Sequence, residues 1–562
     1  MGEVEELVAR LLTSTTPNAI VPPEEPKKPF CGIAFVGIAP GEQEVIQGRP
    51  LVGPSGRIFD ACLKAVGIDR ESCWIGNLCP VRLNRDRGLS FHEVSILREP
   101  LLVAMEELQP QVIVTLGAEP TRAFFVEKDV EITLMRSHVL KSPALLADAK
   151  IVPTIHPAYI LRQNLGLGAL LLNDFMIAKK LLTGEPRYRP WDYHVISSLD
   201  ELRELLFTHR GELMSLDTEA TSENPFQAWP FIISFAFESS PDLGYVIHCP
   251  TRRYHPRMGP ETLLDGSKSP TPIEDVLEEF KRANPRVVIQ NMMYDYILLT
   301  RLGYSPEVYV DTMYAFSLLD ENCPRNLSTL GSFFCGIGPY STDYRSTDLH
   351  TWIPYAACDA VNTIRLWQAL EPRFLDPRLR HLLFDYIMPL IYELSRMSLR
   401  GIWINRERLK DVGDVIQKEI DEKIRTMQVI AGMEFNPRSN DQLAVVFDKL
   451  NIPILGRTSK TRKPSFKKEL LQKLEDRYPF VKLLLETKHL SKIHSSYIKN
   501  LHKYVDEHDV VHPIFDIKKT GRLSAVEPAV QTLPRDSVIL ELFTARPGHI
   551  FIKADFSAAE LR

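Results

Sequence analysis

A multidomain α/β chain is predicted, on three observations. Short apolar runs ending in glycine, Gly32-Ile33-Ala34-Phe35-Val36-Gly37 and Val112-Ile113-Val114-Thr115-Leu116-Gly117, alternate with helix-like segments, the pattern of buried parallel strands. Strand-like runs at 213–216, 231–237 and 244–248 then lead into helical sequence, which suits a mixed sheet. From about residue 376 the pattern becomes long and helical, through 378–399 and 469–504, and returns to strand-like sequence at Ile550-Phe551-Ile552.

At 562 residues the chain has room for three or more domains, and 44% hydrophobic with 25% charged residues is ordinary for soluble globular proteins. The net charge of −5 gives no global basic excess, although a local basic groove suffices for phosphate contacts. Eight cysteines form no CxxC pair and no short disulfide-type framework, which predicts a reduced, cytoplasmic protein. The start, MGEVEELVARLL, lacks a basic region followed by an apolar core, and no run of about 18 apolar residues exists. Neither a secretory signal nor a membrane span is therefore expected.

Two proline-rich stretches, at 22–29 and 184–190, read as linkers because proline fixes φ and removes a donor. They give an N-terminal segment 1–29, a first domain 30–183, a linker 184–190 and a second domain 191–375. A helical region 376–508 and a final segment 509–562 follow. In the first domain Ile151-Val152-Pro153-Thr154-Ile155 is a further strand candidate, and Glu42, Asn77 and His156 each follow a strand-like run, where sheets of this class gather ligand groups. The second domain opens on Ser198-Leu199-Asp200-Glu201, a capping-box pattern.

The second domain carries the clearest chemistry. In Ser215-Leu216-Asp217-Thr218-Glu219, residues i and i+2 of a strand face one side, so Asp217 and Glu219 project together. In Asn291-Met292-Met293-Tyr294-Asp295, and again in Tyr355-Ala356-Ala357-Cys358-Asp359, the outer residues are i, i+4 on a helix and share a face. Four carboxylates and a phenol suit two-metal phosphodiester hydrolysis, which needs hard oxygen ligands holding ions roughly 3.5–4 Å apart.

These three segments resemble the motifs of the DEDD exonucleases in their tyrosine variant, especially the proofreading domain of bacterial family A DNA polymerases; Asp311-Thr312-Met313 matches a further family segment. The resemblance implies a ribonuclease-H-like 3′→5′ exonuclease with Asp217, Glu219, Asp295 and Asp359 on two Mg²⁺ ions (Mn²⁺ as a substitute), and Tyr355 orienting the attacking water. Asn291 would touch a single-stranded 3′ end.

Thr520-Gly521-Arg522-Leu523-Ser524, with Gln531 and Pro534, and Asp555-Phe556-Ser557-Ala558-Ala559-Glu560-Leu561-Arg562 resemble palm signatures of family A DNA polymerases. Met397, Gly401 and Phe435-Asn436 fit a helical thumb before a partial palm. The resemblance assigns Asp555 to metal, Glu560 to sugar discrimination at the incoming nucleotide, and Arg522 and Gln531 to the primer–template. The basic stretch Arg457, Lys460, Arg462, Lys463, Lys467 and Lys468 would hold duplex phosphates or form a solvated face. With one palm carboxylate in hand, no DNA synthesis is expected from this chain alone; a second polypeptide carrying fingers and the remaining palm, or a truncation, would account for that.

The first domain, through Gly37-Ile38-Ala39-Pro40-Gly41, Gly48-Arg49-Pro50-Leu51-Val52-Gly53, Asn77, Gly117 and His156-Pro157-Ala158, resembles the uracil-DNA glycosylase superfamily, an α/β/α sandwich. Asn77 would read the uracil edge and His156 would stabilise the departing base. Ile38 and Val45 replace carboxylates of that family, and Leu51 its stacking aromatic. Cys79 matches one cluster cysteine while Arg98 stands near another, so no iron–sulfur cluster is expected. Glu42 or Glu44 remains as a candidate to activate water. The domain is either an altered glycosylase or a catalytically silent module that binds DNA or detects uracil, the second being favoured. The whole looks like replicative polymerases of large tailed phages: a proofreading enzyme, against the competing class of a non-catalytic DNA-binding or assembly subunit.

Overall fold

Strict alternation along the first strands produces a sheet covered on both faces. The computed structural model of the chain describes residues 2–11, 20–83, 88–125, 130–136, 138–141, 149–185, 188–249, 272–338, 340, 349–457, 463–533 and 537–557. Strands β1 (Ile33–Gly37), β2 (Trp74–Asn77), β3 (Val112–Leu116), β4 (Leu140–Lys141) and β5 (Lys150–Thr154) assemble in the order β2-β1-β3-β5-β4, parallel except for β4 at the edge. Ile33 and Phe35 enter one core with Phe59 and Phe175 of the helices Pro54–Val66 and Gly168–Thr183. Ala34 and Val36 enter the other, with Leu97 and Met105 of the helix Phe91–Leu108. The rings of Phe35 and Phe59 meet edge-on at 4.9 Å, a favourable aromatic geometry.

Next come β6 (Asp192–Val195), β7 (Leu213–Ser215), β8 (Asp217–Ala220), β9 (Pro230–Phe235), β10 (Leu243–His248), β11 (Arg286–Ile289) and β12 (Glu307–Asp311). They form one sheet ordered β6-β10-β9-β8 and another ordered β12-β11-β7. The chain passes between the two sheets at Leu216. Ser215 N donates to the Ala236 carbonyl at 2.8 Å, and Ser215 Oγ donates to the Ala360 carbonyl at 2.7 Å, which ties the strand to the helix Leu349–Leu370.

The chain divides into two compact units, Met1–Pro389 and Leu390–Arg562. The second unit is helical, with a core of Met427, Phe435, Leu443, Phe447 and Phe480 among the helices Arg406–Ala431, Asn440–Lys449 and Pro479–Ile493. Small antiparallel pairs β13 (Ile402–Trp403) with β14 (Val510–Val511), and β15 (Ile514–Ile517) with β16 (Leu523–Val526), complete it. Among the described residues no helix is long and apolar enough to cross a membrane.

Four local expectations need correction. The helical stretch 378–399 is broken by a wide π turn at Leu382–Ile387, just before Pro389, which cannot donate to the Asp385 carbonyl. The stretch 469–504 is interrupted after Leu471 and restarts with Pro479 in the first turn, the position a ring without an N–H tolerates. Ser198 caps its helix through Glu201 N at 3.2 Å, but the Glu201 carboxylate returns to Ser197 rather than to Ser198, so the box is only half formed. Ile550, Phe551 and Ile552 form no strand: they are exposed, and no described residue pairs with their backbone, without which a strand has no ladder.

Candidate active site

The acidic cluster is built from one strand and two helices. On β8 the side chains of Asp217 and Glu219 turn to one side, and the intervening Thr218 is buried on the other. Asp295 sits in the first turns of the helix Met292–Arg301, and Tyr355 and Asp359 lie one turn apart on the helix Leu349–Leu370. One oxygen each from Asp217, Glu219 and Asp359 fall within 4.8 Å of one another. Asp295 stays outside that group. Its Oδ1 accepts from Thr218 Oγ1 at 2.5 Å, which draws it toward the opposite face of the strand.

Electrostatics marks the cluster as unfinished by protein groups alone. Burial, then the neighbouring charges of Asp359, Asp295 and Glu219, raise Asp217 well above the carboxylate range. Glu219 is raised for the same reasons, by burial and then by Asp359 and Asp295. Burial pushes Asp295 and Asp359 each to about 7. Asp217 Oδ2 is buried with no hydrogen-bond partner. A buried carboxylate oxygen without a donor is costly, and carboxylates crowded together repel; a divalent cation answers both. The residues present therefore fit a metal.

Asp311 supplies the scaffold. Its carboxylate accepts from Met292 N at 2.7 Å, Asn291 N at 3.2 Å and Met313 N at 2.8 Å, and so pins the start of the helix that bears Asp295 to its own helix, Thr312–Leu319. Burial raises it to about 6 against these donors. The same contact corrects the expectation for Asn291. That residue precedes the helix with a left-handed backbone, φ 66°, so it does not share a helical face with Asp295. The i, i+4 spacing assumed a helix one residue longer than the cap allows.

The other predicted residues lie elsewhere. Arg522 is exposed in the turn of the β15–β16 hairpin, and Gln531, exposed on the following 3-10 turn Val530–Thr532, donates Nε2 to the Leu523 carbonyl at 3.0 Å. Asp555 is exposed on a segment without regular secondary structure, and among the described residues no carboxylates join it in a metal-binding group. Glu560, Pro534, Lys460 and Arg462 lie outside the described residues. In the first sheet, Asn77, His156 and Ile38 gather at the carboxyl ends of β2, β5 and β1. Ile38 Cδ1 and His156 Cβ both approach Gly117, and Asn77 folds over Gly37, where any Cβ would clash. His156 Nδ1 accepts from Ala158 N at 3.0 Å, and burial lowers the ring to about 4, so it is neutral with Nε2–H as donor. Glu44 is taken up by the backbone N–H groups of Gly41 and Gly53, Glu42 pairs with Arg82 at 3.4 Å, and Leu51 is buried in the core.

Sequence reasoning passed over Tyr340, whose hydroxyl donates to Asp359 Oδ1, and Asn362, whose Nδ2 donates to the Tyr340 hydroxyl at 3.0 Å. A polar Asn three residues after Asp359, on the same helix face, was the available signal.

Comparison with known proteins fits this geometry. Residues 193–374 match the family model for 3'-5' exonuclease, residues 406–562 that for DNA polymerase family A, and residues 27–176 that for the Uracil DNA glycosylase superfamily. The chain therefore carries one segment similar to 3'-5' exonucleases, one similar to family A DNA polymerases and one similar to the uracil-DNA glycosylase superfamily. Its relatives are DNA polymerases I: the Rhizobium leguminosarum protein is 29% identical over 379 residues, 62% of this chain and 37% of that protein. The Pseudomonas aeruginosa protein is 30% identical over 384 residues, 63% of this chain and 40% of the relative. The thermostable enzyme of Thermus filiformis is 34% identical over 215 residues, 37% of this chain and 26% of the relative. The chain spans less than half the length of these relatives. A solved structure, the POL domain of Pol1 from M. smegmatis in complex with DNA primer-template and dNTP, shares the fold with TM-score 0.50 and 18% identity, over 64% of this chain and 59% of that one. An exonuclease domain implies a divalent metal, and Asp217, Glu219 and Asp359 form an acidic group able to hold one.

Proposed function

We propose that this chain removes nucleotides from the 3′ end of DNA, as the proofreading part of a replicative family A DNA polymerase. The observation that carries the reading is the convergence of Asp217, Glu219 and Asp359 within 4.8 Å beside a partnerless Asp217 oxygen, inside a segment that matches 3'-5' exonucleases. Asp217, Glu219 and Asp359 would hold one Mg²⁺ and Asp217 with Asp295 a second. When bound, the pair supplies a more acidic water and neutralises charge on the leaving 3′ oxygen. Tyr355, which hydrogen-bonds Asp359, orients the water for in-line attack, and Asn291 meets the frayed strand. Arg522 and Gln531 hold the primer–template. A 5′-labelled primer–template with a frayed 3′ end is expected to shorten one nucleotide at a time with Mg²⁺ or Mn²⁺ and to stay intact with EDTA. No shortening by folded chain with either metal would sink the reading.

The first domain is, on this reading, a silent module that binds DNA or detects uracil. Ile38 fills space beside Gly117 and His156, and Glu42 and Glu44 are both engaged, which leaves neither of these two free to activate water. Uracil-containing DNA should bind without base release; abasic sites formed by the chain and abolished by Asn77→Ala would establish an active glycosylase instead.

A further inference from the structure

Asp359 is held by a second phenol besides Tyr355. The Tyr340 hydroxyl donates to Asp359 Oδ1, and the same hydroxyl accepts from Asn362 Nδ2 at 3.0 Å. The Asn362 step is forced because an amide nitrogen only donates, and Asp359, once ionised as a metal ligand must be, only accepts. Asn362 is fully buried and also donates to the Leu327 carbonyl at 3.2 Å. It fits only because residue 331 is glycine: a Cβ there would stand 2.1 Å from the amide nitrogen. The ring of Tyr340 lies 5.7 Å from that of Tyr355, so the two phenols approach the carboxylate from one aromatic wall.

We propose that Tyr340, oriented by Asn362, is a positioning residue for the divalent ion, locking the Asp359 carboxylate in the orientation in which it meets Asp217 and Glu219. This rests on the exonuclease reading above. A metal-ligating carboxylate whose second oxygen is tied by an outer donor pays less to become ordered when the ion arrives, and loss of such donors costs about 10–100-fold in metal affinity. A role confined to wall packing would leave metal affinity untouched, since Phe keeps the ring.

The test is Mn²⁺ titration of the full chain by calorimetry, together with 3′ trimming, for wild type and Tyr340→Phe. Tyr340→Phe should bind Mn²⁺ about 10–100-fold more weakly. The metal concentration for half-maximal trimming should rise in parallel, the rate should recover at saturating Mn²⁺, and the variant should remain folded at the assay temperature, with a melting temperature lowered by no more than the loss of these buried hydrogen bonds entails. Unaltered Mn²⁺ affinity in Tyr340→Phe would overturn the proposal while leaving the nuclease intact. Wild type that binds Mn²⁺ without trimming would sink the exonuclease reading alone, the binding shift still deciding Tyr340. Wild type that binds no Mn²⁺ would overturn both.

Discussion

Alanine in place of Asp217 is expected to cut nucleotide release from a frayed 3′ end by on the order of 10³-fold or more, the largest effect of any single change in this chain. Asp217 is the one carboxylate raised by all three of the others, Asp359, Asp295 and Glu219. It lies with Glu219 and Asp359 within 4.8 Å and also feels the charge of Asp295, so on the proposed function it is the carboxylate two cations would share. Its Oδ2 lacks a close hydrogen-bond partner, and the weak pull of the Ser234 side chain is small beside the crowding of carboxylates, so the substitution gives up little and relieves repulsion. The variant should fold, and the loss of rate should not be repaired by excess Mg²⁺. Tyr355→Phe should be milder, roughly 10²-fold, because it removes one orienting hydroxyl and leaves every carboxylate in place. Quantified ladders of trimmed primer, at matched protein and several Mg²⁺ concentrations, decide this. An Asp217→Ala protein that trims like wild type would mean the nuclease activity resides elsewhere or in a contaminant.

Much of this site is legible because its spacing is local. Asp217 and Glu219 flank Thr218 on β8 as a period of two requires, and Tyr355 and Asp359 share a helix face as a period of four requires. The glycine-ended runs at 33–37 and 112–117 give β1 and β3 directly. What escapes local reading is whatever depends on partners distant in sequence. Asp295 carries a helical motif, yet Thr218, 77 residues away, decides where its oxygen points. Asn291 falls into the left-handed cap because Asp311 captures its N–H. Tyr340 belongs to no motif, and only the folding of its segment onto the helix Leu349–Leu370 reveals it. Ile550-Phe551-Ile552 has every local mark of a strand and none of the neighbours a ladder needs among the described residues.

Without divalent metal, the chain should lose stability as pH rises from 6 to 8, and Asp217→Asn should remove much of that loss. The sign follows from the cluster. Unfolded, these carboxyls titrate near 4; folded, burial holds Asp295 and Asp359 at about 7, and burial followed by the charges of neighbouring carboxylates raises Asp217 and Glu219 well above the usual range. Between those limits the folded state binds more protons than the unfolded one. The stability it gains is complete below about pH 4 and is lost as pH climbs through 7. In EDTA, Asp217→Asn should therefore melt above wild type at pH 8, by roughly 2–4 °C for each kcal/mol of repulsion removed, and near it at pH 6. Added Mg²⁺ should reverse the order. A cation that binds only the folded, ionised cluster stabilises it by about 2.7 kcal/mol at a hundredfold excess over its dissociation constant, and the variant has lost the bridge. Burial also depresses His156 and His248 to about 4, which acts with opposite sign below about pH 6.5, but both residues are common to the two proteins and cancel in the difference. Melts at pH 6 and 8, in EDTA and in Mg²⁺, therefore isolate the site. If wild type and Asp217→Asn coincide at pH 8 in EDTA, the carboxylates do not burden the fold and have no strain for a metal to relieve. If they separate and Mg²⁺ inverts them, this cluster is held at a cost that metal binding offsets, as a site built for a cation requires.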